Sequence, residues 1–456
     1  MLLRFRVTNY ASIRDEAELS MVAASDHPAI AVRSAGDSGV SALPTAAIYG
    51  ANASGKSNIV NAFFFMRNAI LGSHQDWRPG APINRRAFKL DATSRFEKST
   101  FIVNFIHDGT HHEYGFSAED YSVVEEWLYS FPKKRTRVLF ERGPADDIKF
   151  GPSLTGLRRN IASLMRPNSL YLSTAAANNH PQLKRIYDWF ASDIFPVRAG
   201  SELHGSITLH EWENQEQAPL RDLLRYADTG VIDLWVENQE LPEQAAEKLL
   251  DFLRAYEPET TQFGPVRVPP KIEFIHRGAT DVARFTPDEE SSGTLAWLLL
   301  VGPVVAAVRR GGLLIVDELD ARLHPLLTAH LVSIFQNPET NPAGAQLLFN
   351  THNVSLLGPS APGRLRRDQV WFTEKDDSGA SKLTALADYR VRDGLENVEK
   401  RYLAGRYGAI PFLDDVVLES LRSELPAWSP RSRSRYNGAP AASSSGSASS
   451  STSRGT

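Results

Sequence analysis

Cysteine is absent from all 456 residues of this chain. That excludes a disulfide framework and any thiolate metal site, and it fits a reducing cytoplasm. The first twenty residues, MLLRFRVTNYASIRDEAELS, alternate apolar and polar types and lack a signal-peptide core. No uninterrupted apolar run of transmembrane length occurs; the stretch Leu295–Val308 is apolar but short and reads as a buried core helix. A net charge of −4 gives no global pull toward nucleic acid, although a local basic face stays open. There are no sustained heptads and no internal repeats, which excludes a long coiled-coil arm. A soluble cytoplasmic protein without a membrane partner is expected, with two or three lobes at this length.

Against these absences stands one complete motif. Residues 46–60, AAIYGANASGKSNIV, pass from an apolar strand through Gly50-x-x-x-x-Gly55-Lys56-Ser57 into a helical run. This is a P-loop in its strand–loop–helix context, and it predicts binding of a nucleoside triphosphate. The two glycines permit a tight backbone whose N–H groups converge on phosphate oxygens, and the helix start adds its positive end. Lys56 supplies a point charge for the β- and γ-phosphates, and the Ser57 hydroxyl is a hard oxygen ligand for Mg²⁺. Asn52, Ala53, Ser54 and Asn58 complete the set expected around the nucleotide, ATP being the expected one.

The remaining pattern divides the chain into four. Residues 1–151 read as a β-rich lobe around the P-loop: strands at Leu2–Val7 and Glu16–Val22, a hairpin turning at Asp108-Gly109, and further strands at Val123–Phe131 and Arg137–Glu141. Residues 152–270 carry helical apolar spacing at Leu157–Leu164, Gln182–Phe195, Leu220–Val231 and Glu243–Tyr256, and are expected to form a compact helical insertion. Residues 271–425 return to an α/β pattern, with strands at Lys271–Arg277, Leu313–Val316, Gln346–Asn350, Val370–Glu374 and Lys382–Ala385, and a last helix at Leu413–Leu425. Residues 426–456 are rich in Ser, Ala, Gly and Arg and read as a disordered tail.

The third segment supplies what a P-loop needs. Leu313-Leu-Ile-Val-Asp317-Glu318 is an apolar strand ending in two acids, a Walker B arrangement in which Asp317 holds Mg²⁺ and Glu318 polarises the attacking water. Asp320 follows, and the strand QLLFN delivers Thr351-His352, a histidine placed to reach a γ-phosphate or the water. Upstream, Glu290-Ser291-Ser292-Gly293-Thr294 opens an apolar helix; it is an N-cap and a second candidate anion site. His324 and the pair His111-His112 read as helix-start and hairpin residues, and Tyr49 as core.

In this order the motifs resemble those of ABC-type ATPase heads of the SMC and recombination-repair class. That resemblance implies an α/β P-loop fold with a β-rich N-lobe and a parallel core sheet. It also implies a two-headed sandwich in which Ser291 and Gly293 reach the partner's γ-phosphate and Asp320 crosses the interface. A wider resemblance covers nearly the whole chain outside the tail. It runs through LLRFRVTNYASIRDEAELSMVAAS, EEWLY, ESSGT, LLIVDELDARLHPLL, FNTHN, RRDQVWFTEK and EKRYLAGRYGAIP, and is to bacterial ATPases of the abortive-infection type. It implies a homo-oligomeric switch in anti-phage defence acting on a separate effector or toxin. Two departures from the ABC pattern stand out. No glutamine lies between Gln75 and Gln182, so a Q-loop ligand is missing or replaced, Glu125 and Glu126 being candidates beside a plain solvated strand end. The signature also reads Glu-Ser-Ser-Gly-Thr, with Ser292 where the first glycine is usual. A DNA-tethering ATPase is the alternative. An ATPase–nuclease fusion would need more than the scattered acids Asp368, Glu374, Asp376, Asp377 and Asp388.

Overall fold

The computed structural model describes residues 1–24, 33–34, 39–144, 147–198, 200–201, 207–214, 217–239, 245, 247–248, 251, 270–390 and 397–411. Most of the helix expected at Glu243–Tyr256, the helix expected at Leu413–Leu425 and the expected tail lie outside them. The described strands are β1 (Leu2–Thr8), β2 (Ala17–Ser20), a short ribbon β3 (Arg33–Ser34) and β4 (Ser41–Ala42), β5 (Thr45–Gly50), β6 (Ser99–His107), β7 (Thr110–Ala118), β8 (Val123–Ser130), β9 (Arg137–Arg142), β10 (Ile148–Phe150), β11 (Ile194–Val197), β12 (Val231–Glu237), β13 (Lys271–Arg277), β14 (Val282–Phe285), β15 (Leu313–Val316), β16 (Gln346–Asn350), β17 (Val370–Lys375) and β18 (Ser381–Ala385).

The fold is α/β. An antiparallel sheet runs in the order β10-β9-β8-β7-β6-β1-β2, and a second sheet in the order β11-β15-β16-β5-β17-β18. The second sheet is parallel except for its edge strand β18. Its β5, TAAIYG, is buried along its whole length. This is why the sequence there is a continuous apolar run and not an alternating one: a central parallel strand is covered on both faces.

The period of two still decides which face each residue serves. Ala46 and Ile48 join the core that holds the P-loop helix Lys56–Gly72 and the inner face of the antiparallel sheet. Ala47 and Tyr49 join the opposite core with the helix Ser292–Arg310. Leu313 and Ile315 divide from Leu314 and Val316 in the same way. The two sheets are also clamped by Gln346 of β16. Its amide accepts from Leu2 N–H (2.5 Å) and donates to the carbonyls of Leu2 and Leu43 (both 3.0 Å).

The described residues of the stretch 152–270 are distributed through this architecture. Helices Tyr171–Ala177 and Pro181–Ser192 share the core of the P-loop helix. The strand β11 is the edge of the parallel sheet beside β15, where the apolar spacing led us to expect helix through Phe195. Likewise the helix expected over Leu220–Val231 ends at Tyr226, and Val231 begins β12, which pairs with β13 and through it with β14. At the first boundary, Ser192-Asp193, no Gly or Pro marks the change from helix to strand, whereas at the second the mark is Gly230 (φ 81°), just before the strand.

The helix Ser292–Arg310 is long and apolar enough to cross a membrane by length and composition alone. Its residues Trp297, Leu298 and Leu300 through Ala307 are buried inside the protein. Pro303 interrupts its hydrogen-bond ladder, and Thr208 of the helix Ile207–Asn214 fills the break. The Thr208 hydroxyl donates to Leu298 O (2.6 Å) and accepts from Gly302 N–H (3.0 Å). Gly302 is required there, since a Cβ would collide with the Thr208 backbone.

Candidate nucleotide site

The P-loop begins where β5 ends. Ala53 (φ 61°) and Gly55 (φ 110°) have left-handed backbones that fold the loop tightly before Lys56 opens the helix. A Cβ on Gly50 would collide with Thr373 and Ser54, and one on Gly55 with Ser381 and Ser12, so only glycine fits either position. A serine–asparagine network braces the outside of the loop. Ser54 and Thr373 share a 2.6 Å hydroxyl–hydroxyl bond, Ser381 Oγ donates to Ser54 O (2.6 Å), and Ser12 Oγ lies 2.7 Å from Ser381 Oγ while accepting from Asn58 Nδ2 (2.6 Å).

Lys56 is buried, and its ammonium donates to the carbonyls of Gly50 (2.9 Å) and Ala51 (3.0 Å). Burial lowers its pKa, and the charges of Glu318, Asp320 and Asp317 oppose that shift. The three acids therefore converge on the lysine, although more than 250 residues of sequence separate them from it.

Asp317 and Glu318 leave the C-terminal end of β15. Glu318 is exposed with φ 61°, a left-handed residue that turns its carboxylate outward from the strand. One buried residue ties the site together. Asn350, the last residue of β16, donates through Nδ2 to Asp317 Oδ1 (2.6 Å) and to Ser57 Oγ (3.2 Å), and its Oδ1 accepts from Glu318 N–H. It brings together the two hard oxygen donors expected to hold Mg²⁺, a chemistry that fits that ion. Asn350 was overlooked in the sequence, where the signal is only a polar residue closing an apolar strand before Thr-His.

The carboxylate of Asp320 accepts from Thr351 Oγ1 (2.7 Å) and from His352 N–H (3.2 Å). The imidazole of His352 has its pKa lowered by burial and by the Lys56 charge, while Asp320 and Glu318 act the other way. It is therefore neutral at pH 7 and able to accept or donate one hydrogen bond. Ser291 caps the helix Ser292–Arg310 by accepting from Thr294 N–H (3.1 Å), and Gly293 lies so close to Arg322 that a Cβ would stand 3.0 Å from its carbonyl. Within one chain, then, Ser291 and Gly293 pack beside the turn that follows Asp320.

Neither candidate for the missing glutamine joins this group. Glu126 is fully buried in the antiparallel sheet, where it accepts from Tyr114 Oη (2.9 Å), Tyr171 N–H (2.6 Å) and Leu172 N–H (2.9 Å), 3.8 Å from Arg142. Glu125 pairs with Lys98 at the surface (2.5 Å). The residue that does stand at the strand end beside Asp317 is Arg198, after β11. It lines a cavity of about 310 Å³ together with Asp317, Glu318 and Arg322. His324 caps its helix by accepting from Leu326 N–H, as expected.

The family comparison matches residues 46–358 to the model described as "AAA domain, putative AbiEii toxin, Type IV TA system". The chain belongs to this family. The match covers more than half of its length and spans the P-loop, the Walker B acids and His352. No curated protein matches. Among solved structures the chain is similar to an SMC head bound to the C-winged helix domain of ScpA, with 13% identity, 88% of this chain and 99% of that one covered, and a TM-score of 0.38. It is also similar to the SMC head domain from Thermotoga maritima, with 12% identity, 86% and 99% covered, and a TM-score of 0.35. A third is the Smc head domain with an extended coiled coil from Pyrococcus furiosus, bound to the C-terminal domain of ScpA, with 14% identity, 92% and 99% covered, and a TM-score of 0.35.

The motif Arg406-Tyr407-Gly408-Ala409-Ile410-Pro411, which lies beyond the matched domain, packs beside the P-loop. Tyr402 and Tyr407 both stack on Phe372 of β17 (5.4 and 5.6 Å), and Glu374 accepts from Ala409 N–H. Ala409 and Ile410 share a cavity of about 330 Å³ with Asn52, Ala53 and Ser54. Glu374 is thus a structural acceptor. Asp376 and Asp368 are similarly engaged, the first by its own turn and Lys382, the second by Arg366. Among the described residues no cluster of three or more His, Asp or Glu side chains suited to a metal ion is found.

Proposed function

We propose that the chain binds and hydrolyses ATP with Mg²⁺ and works as a nucleotide-gated switch. The single observation that carries this reading is the Asn350 bridge, which holds Ser57, Asp317 and the Glu318 backbone in one hydrogen-bonded set beside Lys56. Lys56 exchanges its two loop carbonyls for phosphate oxygens. Ser57 and Asp317 are the residues that would hold Mg²⁺, whose role is to neutralise the phosphates. Glu318 takes a proton from water as the water oxygen bonds the γ-phosphorus, and the bond from that phosphorus to the ADP oxygen breaks. His352, neutral and beside Asp320, orients the water or a γ-phosphate oxygen.

Two chains would close around two nucleotides, with Ser291, Gly293 and Asp320 at the shared surface. Helix starts with exposed N–H groups suit a partner's phosphate. The family description names a toxin and a type IV toxin–antitoxin system; a role in anti-phage defence through a separate effector is our extension of it.

The test is the mass of the Glu318→Gln protein with and without ATP·Mg²⁺. We expect a dimer only with nucleotide, and a strictly monomeric, fully active variant would sink the two-headed mechanism. Lys56→Ala should abolish nucleotide binding, and retained ATP affinity there would overturn the site assignment.

A further inference from the structure

We infer that Arg198 is a catalytic arginine supplied in cis, whose guanidinium contacts the terminal phosphate of the bound nucleotide and takes up charge as the transition state forms. The inference rests on the ATPase reading above. It begins with topology. Four adjacent parallel strands, β11, β15, β16 and β5, end at the same edge of the sheet. Ligands of such sheets bind at the carboxyl ends of the strands. Three of these ends carry the Walker B acids, Thr351-His352 and the P-loop; the fourth carries Arg198.

The register places Arg198 closely. Val197 is paired with Val316, and Asp317 N–H donates to Val197 O (3.0 Å), so Arg198 and Asp317 leave neighbouring strands side by side. A turn then fixes the chain direction: Arg198 N–H donates to Ser201 Oγ (3.2 Å), and Ser201 N–H to Arg198 O (3.1 Å). The guanidinium lies 4.8 Å from the centre of the Phe64 ring on the P-loop helix. Ser57, Asn61 and Phe64 are spaced i, i+4, i+7 and share one face of that helix, so the arginine rests on the face that carries the Ser57 hydroxyl.

The chemistry of the neighbourhood separates Arg198 from other arginines. Arg67, on the same helix, is consumed by the carbonyls of Phe190 (2.8 Å) and Ala191 (3.2 Å). Arg322 borders the cavity from the turn that abuts Gly293. Among the described residues, no carboxylate lies within ion-pair distance of the Arg198 guanidinium, and an aromatic face is a weak partner for a group with five donors. Its backbone leaves the sheet beside Asp317 and it borders the same cavity as Asp317 and Glu318, while its guanidinium lies over Phe64, near Tyr10 and Arg67. A planar cation so placed, with no carboxylate among the described residues neutralising it, suits a bidentate contact to phosphate oxygens.

The experiment compares wild type, Arg198→Ala and Arg198→Lys for kcat and KM with ATP, and for binding of ADP·Mg²⁺ with and without aluminium fluoride. We expect Arg198→Ala to lower kcat by about 10² to 10³-fold, the size of a lost transition-state contact. KM and ADP affinity should stay within about threefold, because the contact forms mainly in the transition state. The aluminium fluoride complex should be lost selectively, and Arg198→Lys should recover part of kcat by restoring charge without the fork. Unchanged kcat in Arg198→Ala overturns the inference, as does an equal loss of binding with and without aluminium fluoride, which is the mark of a packing role. If Arg198→Ala fails to fold, Arg198→Gln is read by the same criteria. A wild-type protein that neither turns over ATP nor retains the aluminium fluoride complex overturns the ATPase reading itself, an outcome distinct from failure at Arg198.

Discussion

Two pairs of acids follow apolar strand residues in this chain, Glu125-Glu126 and Asp317-Glu318, and the fold treats them in opposite ways. Glu126 is enclosed. Two backbone N–H groups, a tyrosine hydroxyl and a guanidinium surround its carboxylate, and the first two come from the start of the helix Tyr171–Ala177. Burial alone pushes its pKa up, while Arg142 and the N–H donors pull it back. Glu318 is exposed, held through its backbone by Asn350, with its carboxylate on a cavity. The first acid is a closed structural joint. The second is an open group free to meet a ligand, and what separates them is the count of donors already aimed at each.

Glu126→Ala should give the largest effect on stability. It leaves the buried Tyr114 hydroxyl and the N–H groups of Tyr171 and Leu172 without their acceptor and should cost about 3 to 5 kcal/mol, read as a large fall in denaturation midpoint. A shift under about 1 kcal/mol would show that the joint is not closed as described.

Acid should attack the same lobe through His112, whose pKa burial lowers to about 4, with His107 and His111 adding to the effect. Unfolded histidine titrates near 6.5, so the unfolded chain takes up a proton that the folded chain refuses between those values. Stability is full above pH 6.5 and falls as pH drops toward 4, by on the order of 3 kcal/mol for this residue. Urea midpoints measured across that window should flatten in His112→Phe; an unchanged slope would remove His112 from the account.

Glu318→Gln reverses the emphasis. ATP turnover should drop about 100-fold or more, roughly 2.7 kcal/mol of barrier, while the melting temperature stays within the small scatter of surface substitutions. A variant that loses stability as well would make Glu318 a second structural acid and blur the contrast.

Glu125→Ala should do least. Its ion pair with Lys98 is largely exposed, and such pairs contribute roughly 0 to 1 kcal/mol. A measurable loss of ATPase activity there would return Glu125 to the candidates for a metal-linked role.

Much of the site could be read from the sequence because its parts are local. Gly50, Gly55, Lys56 and Ser57 fall within eight residues, and the chemistry of a phosphate loop is confined to such a segment. Asp317, Glu318, Asp320 and His352 were legible as polar residues at the ends of apolar strands. The groups that were not legible, Asn350, Ser12, Thr373 and Ser381, act by distant contacts, as where Ser12 Oγ meets Ser381 Oγ at 2.7 Å. Nothing in the local pattern of any of them marks a partner hundreds of residues away.

The sequence by itself determined the chemical kind of the site: a triphosphate loop, a strand ending in two acids and a histidine after another strand. It also determined the α/β class, because covered parallel strands must be apolar along their length. Tertiary structure alone decided which strand ends are neighbours. It gave Glu126 to a helix start and placed Arg198 beside Asp317, since β11 chose its partner by packing across the sheet and not by any motif of its own.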